Sequence, residues 1–318
     1  MKKLFYLAWW FFQVRLLGRQ IPLQSVVFVS DQCNLRCRHC TVYRVVNPRV
    51  KTMQQIEEDL RYCYGLGSRF IDFEGGEVMI WRDGDKTIND LLDLAKQIGF
   101  YSCTITTNAQ MPFKGIHADS VWVSMDGVGP YHEAIRGKGT FARLEKNIAE
   151  SGVKDLSVNM VVNNENYVDV VEALEYVKQN PHIKSISFNF HTPFEGSEHL
   201  MLDWENRKNV IDTIIQYKKK GYPIMNSLSG LKNMAKVDGR DYSAKFGVKE
   251  GSHLPPFKRC CWVTNFVFSD GTKTPMCMGY KYDVCDKCGF CMGGEMAAVF
   301  SFKPDTILAG LDLRMKKG

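Results

Sequence analysis

Between residues 25 and 190, short runs rich in Val, Ile and Phe recur among stretches with helical spacing. The runs are SVVFVS (25–30), RFIDFEGG (69–76), YSCTITTN (101–108), SVWVSMDG (120–127), LSVNMVVN (156–163) and IKSISFNF (183–190). Helical patterns occupy 53–64, 89–99 and 206–220. Alternating strands and helices commit a chain to a largely parallel sheet, because neighbouring parallel strands need a crossover between them. Six units, not eight, predict an α/β fold built as a partial (βα)6 barrel, open along one side. The pattern stops after residue 220, and a connection rich in Gly, Lys and Ser leads to a cysteine-rich segment starting at Cys260. The chain therefore divides into an N-terminal helix (1–22), the barrel (23–220) and a C-terminal extension (221–318).

Cysteine placement narrows the chemistry. Of eleven cysteines, three stand at 33, 37 and 40 and six between 260 and 291, leaving Cys63 and Cys103 alone. A long helix-rich chain with thiols bunched at two loops reads as a metal binder in a reducing cytoplasm, unlike a small secreted disulfide framework. The net charge of +6 fits an anionic substrate or an anionic membrane surface and calls for no nucleic acid. Residues 2–20 (KKLFYLAWWFFQVRLLGRQ) are basic and then apolar. Their apolar run is far shorter than the about 20 residues needed to span a bilayer, and no small-residue cleavage site follows. Trp9, Trp10, Lys2, Lys3 and Arg15 suit a helix lying in a lipid interface; a helix docked on the barrel floor is the plainer alternative.

The spacing Cys33-x3-Cys37-x2-Cys40 after the first strand aims three thiolates at one site. Three ligands leave one iron of a cluster with an open position. A structural zinc would want a fourth ligand, and His39 is badly placed to reach back to a metal shared with its neighbour Cys40.

This triplet resembles that of the radical S-adenosylmethionine (SAM) superfamily. The resemblance implies a 4Fe–4S cluster whose open iron binds SAM and cleaves it reductively to a 5′-deoxyadenosyl radical. Gly75-Gly76-Glu77 resembles the family's GGE motif, which holds the SAM amino group, although Val78 stands where proline is usual. Asn108, Ser124 and Asp126 look like positions lining the SAM ribose and carboxylate, and Arg136 resembles the arginine that pairs with that carboxylate. Helix capping and surface pairing are the plainer alternatives for these polar groups. Asn159, and Asn189 or His191, face the same mouth if register holds, either touching SAM or substrate or serving as satisfied core polar groups.

The second set comprises Cys260, Cys261, Cys277, Cys285, Cys288 and Cys291. Cys285-x2-Cys288-x2-Cys291 supplies three ligands of one site, and Cys277 or Cys261 completes a second 4Fe–4S cluster; a zinc knot is the alternative. The phrase CDKCGFCMGGE (285–295) and the lead-in RLLGRQIPLQ (15–24) resemble the hopanoid-type adenosyltransferase branch of the superfamily. That branch implies a lipid or isoprenoid substrate, a peripheral site on the inner face of the membrane, and a flavodoxin or ferredoxin as electron donor. The rival expectations are a peptide- or sugar-modifying radical SAM enzyme and a non-catalytic iron–sulfur redox sensor.

Overall fold

A computed structural model describes residues 2–40, 42, 45–236, 263–274, 284 and 287–315, with side chains up to residue 311. Six strands coincide with the six sequence runs: β1 (Gln24–Ser30), β2 (Phe70–Gly75), β3 (Ser102–Thr107), β4 (Ser120–Ser124), β5 (Leu156–Val162) and β6 (Ser185–Phe190). They pair in parallel in chain order. Around them run α1 (Lys2–Arg15), α2 (Met53–Gly65), α3 (Ile88–Ile98), α4 (Pro130–Arg136), α5 (Thr140–Ser151), α6 (Val170–Gln179), α7 (Trp204–Lys219) and α8 (Leu228–Met234). Thr52 and Thr87 start α2 and α3 with capping boxes completed by Gln55 and Asp90, satisfying amide groups that the first helical turn leaves bare.

The alternation of each strand sorts its side chains between two faces. Val27, Val29, Ile71, Phe73, Cys103, Ile105, Val121 and Val123 belong to one buried cluster with Ile56 and Leu60 of α2 and Leu91 and Leu92 of α3. Burying each such side chain contributes roughly 1.5–3 kcal/mol. Cys63 and Cys103 are ordinary members of this core. The opposite face carries Asp72, Glu74, Thr104, Thr106, Trp122, Asn159, Ser187 and Asn189, so the concave side of the sheet is polar.

Beyond residue 220 the chain returns to the sheet. β7 (Thr264–Val267) pairs in parallel with β1, and β8 (Lys273–Thr274) runs antiparallel beside it. The sheet thus extends past β1 on the side away from β2. Four residues, TNFV, give too short a pattern to announce a strand, and only the long-range pairing with β1 makes it one. Two further helices follow among the described residues, α9 (Cys291–Phe300) and α10 (Pro304–Met315); α9 packs along α8 and reaches β6. Its residues Cys291, Met292, Glu295 and Met296 face the polar side of the sheet.

The N-terminal helix is docked on the barrel. Trp10 and Val14 are buried with Leu23, Phe70 and Val263, at the amino-terminal ends of β1, β2 and β7, and with Phe300 at the end of α9. Trp10 Nε1 donates to Ile21 O at 2.8 Å and Tyr6 hydroxyl to Gly67 O at 2.8 Å. No helix among the described residues is long and apolar enough to cross a membrane.

Candidate active site

β1 ends at Ser30, whose hydroxyl accepts from Gln32 N at 2.8 Å and turns the chain into the cysteine loop. The GGE segment closes on this loop through Gly76 N to Ser30 O at 2.7 Å and Glu77 N to Gln32 O at 2.8 Å. A Cβ on Gly76 would stand 1.9 Å from Gln32 O, so only glycine lets the two segments meet.

Cys37 is buried, while Cys33 and Cys40 are half-buried. Burial raises the Cys33 thiol and pushes that of Cys37 up to about 12, with Arg136 pulling Cys37 the other way. Gathered thiols that are this costly to ionise call for a cation that compensates their thiolates, as iron does. Arg136 Nη1 lies 3.8 Å from Cys37 Sγ and Asn108 Nδ2 lies 3.7 Å from Cys33 Sγ, both donors suited to a ligating sulfur. Among the described residues no three His, Cys, Asp or Glu side chains converge on one ion-sized point. In an iron–sulfur cube each thiolate takes a different iron, so the three sulfurs need not converge. The donor set fits such a cluster.

Glu77 sits at the end of β2, 1% exposed. One carboxylate oxygen accepts from Thr107 Oγ1 at 2.6 Å and Met79 N at 3.0 Å, the other from Asn108 N at 2.7 Å. These bonds lock the ends of β2 and β3 together and hold Asn108, whose amide also reaches Asn34 Oδ1 at 2.7 Å.

Asp126 and Arg136 form a buried ion pair, Nε to Oδ2 at 2.7 Å, with the carboxylate wholly enclosed. Asp126 Oδ1 accepts from Val161 N at 3.0 Å. Burial raises the Asp126 carboxyl, yet Arg136 and then His39 more than offset it and leave it below its ordinary value. The plainer alternative of surface pairing fails for these two residues: both are buried beside the cysteine loop. Ser124 is in register with Asn159 across β4 and β5. His39 lies 3.7 Å from Asp126 and edge-on to His191, whose Nε2 donates to Ser197 O at 3.0 Å.

Along the concave side runs a cavity of about 610 Å³. Asn159 and Asn189 line it, joined by a hydrogen bond from Asn189 Nδ2 to Asn159 Oδ1 at 2.8 Å. Asp72 and Glu74 also line it, a pair absent from the sequence-based site although their spacing of two in FIDFEG places them on one face. Burial, then the neighbouring Asp72 charge, pushes the Glu74 carboxyl from 4.5 up to about 8. A carboxyl raised this way keeps its proton when folded and loses it when unfolded, so its contribution to stability falls as pH climbs between these values. Glu74→Gln is expected to remove that decline: its melting temperature should exceed wild type by a margin that grows from pH 5.5 to 8.5. Parallel melting curves would refute the raised Glu74 carboxyl.

Cys288 and Cys291 stand at the carboxyl end of β6. Phe190 N donates to Gly289 O at 2.7 Å, Gly289 N to Thr192 Oγ1 at 3.0 Å and Cys291 N to Asn189 Oδ1 at 2.7 Å. Cys291 borders the cavity. A Cβ on Gly289 would fall 1.8 Å from Phe190 O. Gly289→Ala should therefore lift this loop off β6 and cost roughly 2–4 kcal/mol in urea unfolding, from overpacking plus lost hydrogen bonds. Cys261, Cys277 and Cys285, named from sequence as further ligands, lie outside the described residues.

Comparisons with known proteins agree with this geometry. The Radical SAM superfamily model matches residues 27–177, which hold the cysteine loop, the GGE segment, Asp126 and Arg136. A GTP 3′,8-cyclase of Sulfurimonas denitrificans is 28% identical over 168 residues, 48% of this chain and 51% of that protein. A probable GTP 3′,8-cyclase of Methanococcus aeolicus is 25% identical over 165 residues, 48% of this chain and 54% of that one. The chain thus spans about half the length of these curated relatives. In fold it resembles Streptococcus suis SuiB bound to S-adenosylmethionine, with TM-score 0.63, 18% identity, and coverage of 93% of this chain and 68% of SuiB. With the family match lying over the very segment that builds the cysteine site, residues 27–177 belong to the radical SAM superfamily, whose enzymes use a 4Fe–4S cluster and S-adenosylmethionine.

Proposed function

We propose that the enzyme uses SAM-derived radical chemistry to modify an unactivated carbon of a lipid or isoprenoid substrate at the inner face of the membrane. The bound cluster and SAM supply the radical; the chain's residues bind, orient and shield. Cys33, Cys37 and Cys40 hold the cluster, and Arg136, fixed by Asp126, offers a guanidinium fork to the SAM carboxylate. Gly75, Gly76, Asn108 and Ser124 sit on the same rim of strand ends and line the SAM site. Asn159 and Asn189 reach toward the substrate.

The observation that carries the substrate class is the cavity. At its floor end the lining is Leu4, Leu7, Phe11, Val299, Ile307 and Leu311. Asp119 and Asp155, just before β4 and β5, line the same end, and Asp72, Glu74 and Glu295 lie deeper in, with no Lys or Arg among the described lining residues. A nucleoside triphosphate, as named for the curated relatives, needs cationic partners. The apolar side chains from α1, α9 and α10 support a substrate with an apolar chain instead. The outward apolar face of α1 supports the membrane location, and the reductant proposed is a flavodoxin or ferredoxin.

Cys285, Cys288 and Cys291, with Cys277 or Cys261, are proposed to hold a second 4Fe–4S cluster. A Cys285/Cys288/Cys291 triple alanine variant should lose about half the iron of wild type; equal iron content would rule it out. For the substrate, reduced enzyme given adenosyl-labelled SAM and a total lipid extract should turn over only with the lipid fraction. Turnover restored instead by the aqueous peptide or sugar fraction would overturn the lipid reading.

A further inference from the structure

One end of the cavity points away from the cysteine loop, and there an apolar helical wall faces strand-start residues that include Asp119 and Asp155. Its lining there comes from α1 and α10, against the amino-terminal edge of the sheet. Leu4 both lines the cavity and is 50% exposed, so this end meets the exterior. The residues around the gap are small: Ala8 on α1 and Ala309 and Gly310 on α10. A Cβ built on Gly310 meets nothing within 4 Å.

Beside this gap the outer face of α1 is apolar. Phe5, Trp9, Phe12 and Leu16 are 75%, 49%, 41% and 63% exposed and recur at helical spacing. Trp9 and Phe12 stack at 5.4 Å. A row of exposed aromatic side chains on a helix is costly in water unless something apolar covers it. Lys2, Lys3, Arg15 and Arg19 lie at the two ends of the same segment, giving the apolar row basic flanks. That combination complements an anionic lipid surface, into which such rings bury by roughly 5–10 Å.

We infer that the floor of the barrel rests on an anionic lipid surface through α1, and that the apolar chain of the substrate enters between α1 and α10. Rooted in the apolar-substrate reading above, this adds a direction. SAM occupies the end of the barrel where the strands finish, and the substrate arrives from where they start. The radical and its target carbon then meet inside the cavity without the substrate crossing the cluster loop. The gap between Ala8 and Gly310 sets what passes, which makes these two residues determinants of chain access.

The test uses reconstituted full-length protein and two probes. The first is a dansyl-labelled undecyl chain, whose emission rises on entering an apolar cavity. Wild type should bind it, and Ala8→Trp and Gly310→Trp should each weaken binding at least tenfold. SAM cleavage to 5′-deoxyadenosine without substrate should be unchanged in both variants, since neither residue is near the cluster. Unaltered probe binding in both plugged variants overturns entry through the floor. No binding by wild type overturns the apolar-substrate reading itself, a separate failure. The second probe is vesicles of phosphatidylcholine with 30% phosphatidylglycerol. Wild type should co-sediment with them and Phe5→Glu/Trp9→Glu/Phe12→Glu should not, while the triple variant keeps its iron. If wild type stays in the supernatant, or dimerises through this face instead, the lipid-surface seat is wrong.

Discussion

Replacing Cys37 with alanine should abolish 5′-deoxyadenosine formation and remove roughly four iron atoms per chain. Cys37 is the most buried of the three thiols and the one against which Arg136 lies, 3.8 Å from its sulfur. Losing it takes away one corner of the cluster and leaves Arg136 facing an empty space where a thiolate had been. Cys33 and Cys40 alone cannot hold three irons, so the loss should be complete. Cys63→Ala and Cys103→Ala make the controls. Both thiols lie in the apolar core, and each substitution should cost about 1–2 kcal/mol with iron content and turnover preserved. Iron content equal to wild type in the Cys37 variant would mean that the ligands lie elsewhere.

Breaking the Asp126–Arg136 pair is expected to have the second largest effect. Arg136→Met leaves a wholly buried carboxylate whose remaining partners include Val161 N, at a cost of about 3–5 kcal/mol. Asp126→Leu strands a buried guanidinium at similar cost. The double variant should recover much of that stability, because two apolar side chains of suitable volume need no partner. Activity should not recover with it, since the fork facing the cysteine loop is gone. Arg136→Lys tests geometry apart from charge. A lysine keeps the ion pair but lacks the planar fork, so SAM affinity should fall while the fold holds. Denaturant unfolding and SAM titration separate the two effects. If each single variant loses less than about 1 kcal/mol, the pair is not the enclosed unit described here.

What could be read from the sequence was what is local in it. Six apolar runs and their caps announce six strands and their helices because periodicity and capping act within a dozen residues. The cysteine loop was legible for the same reason: its three ligands and the strand that aims them are contiguous. β7 was not, since four residues gain their identity only by pairing with β1, more than 200 residues earlier. The cavity escaped for a related reason. Asp72 and Glu74 share a face by simple alternation, but nothing local says that this is the concave face or that α9 covers it. Glu77 shows a different limit. Its motif marks it as important, while its bonds to Thr107, Met79 and Asn108, made across two strand ends, are not visible in the motif. Of the two alternatives for the N-terminal helix, the structure has the docked one, with Trp10 seated on the barrel, while Phe5, Trp9 and Phe12 remain outside.

The most direct test of the central claim is the fate of SAM. Anaerobically reconstituted, dithionite-reduced protein should convert SAM to methionine and 5′-deoxyadenosine in equal amounts, and Cys33→Ala, Cys37→Ala and Cys40→Ala should each give none. Intact SAM after incubation with fully iron-loaded, reduced protein would contradict the account.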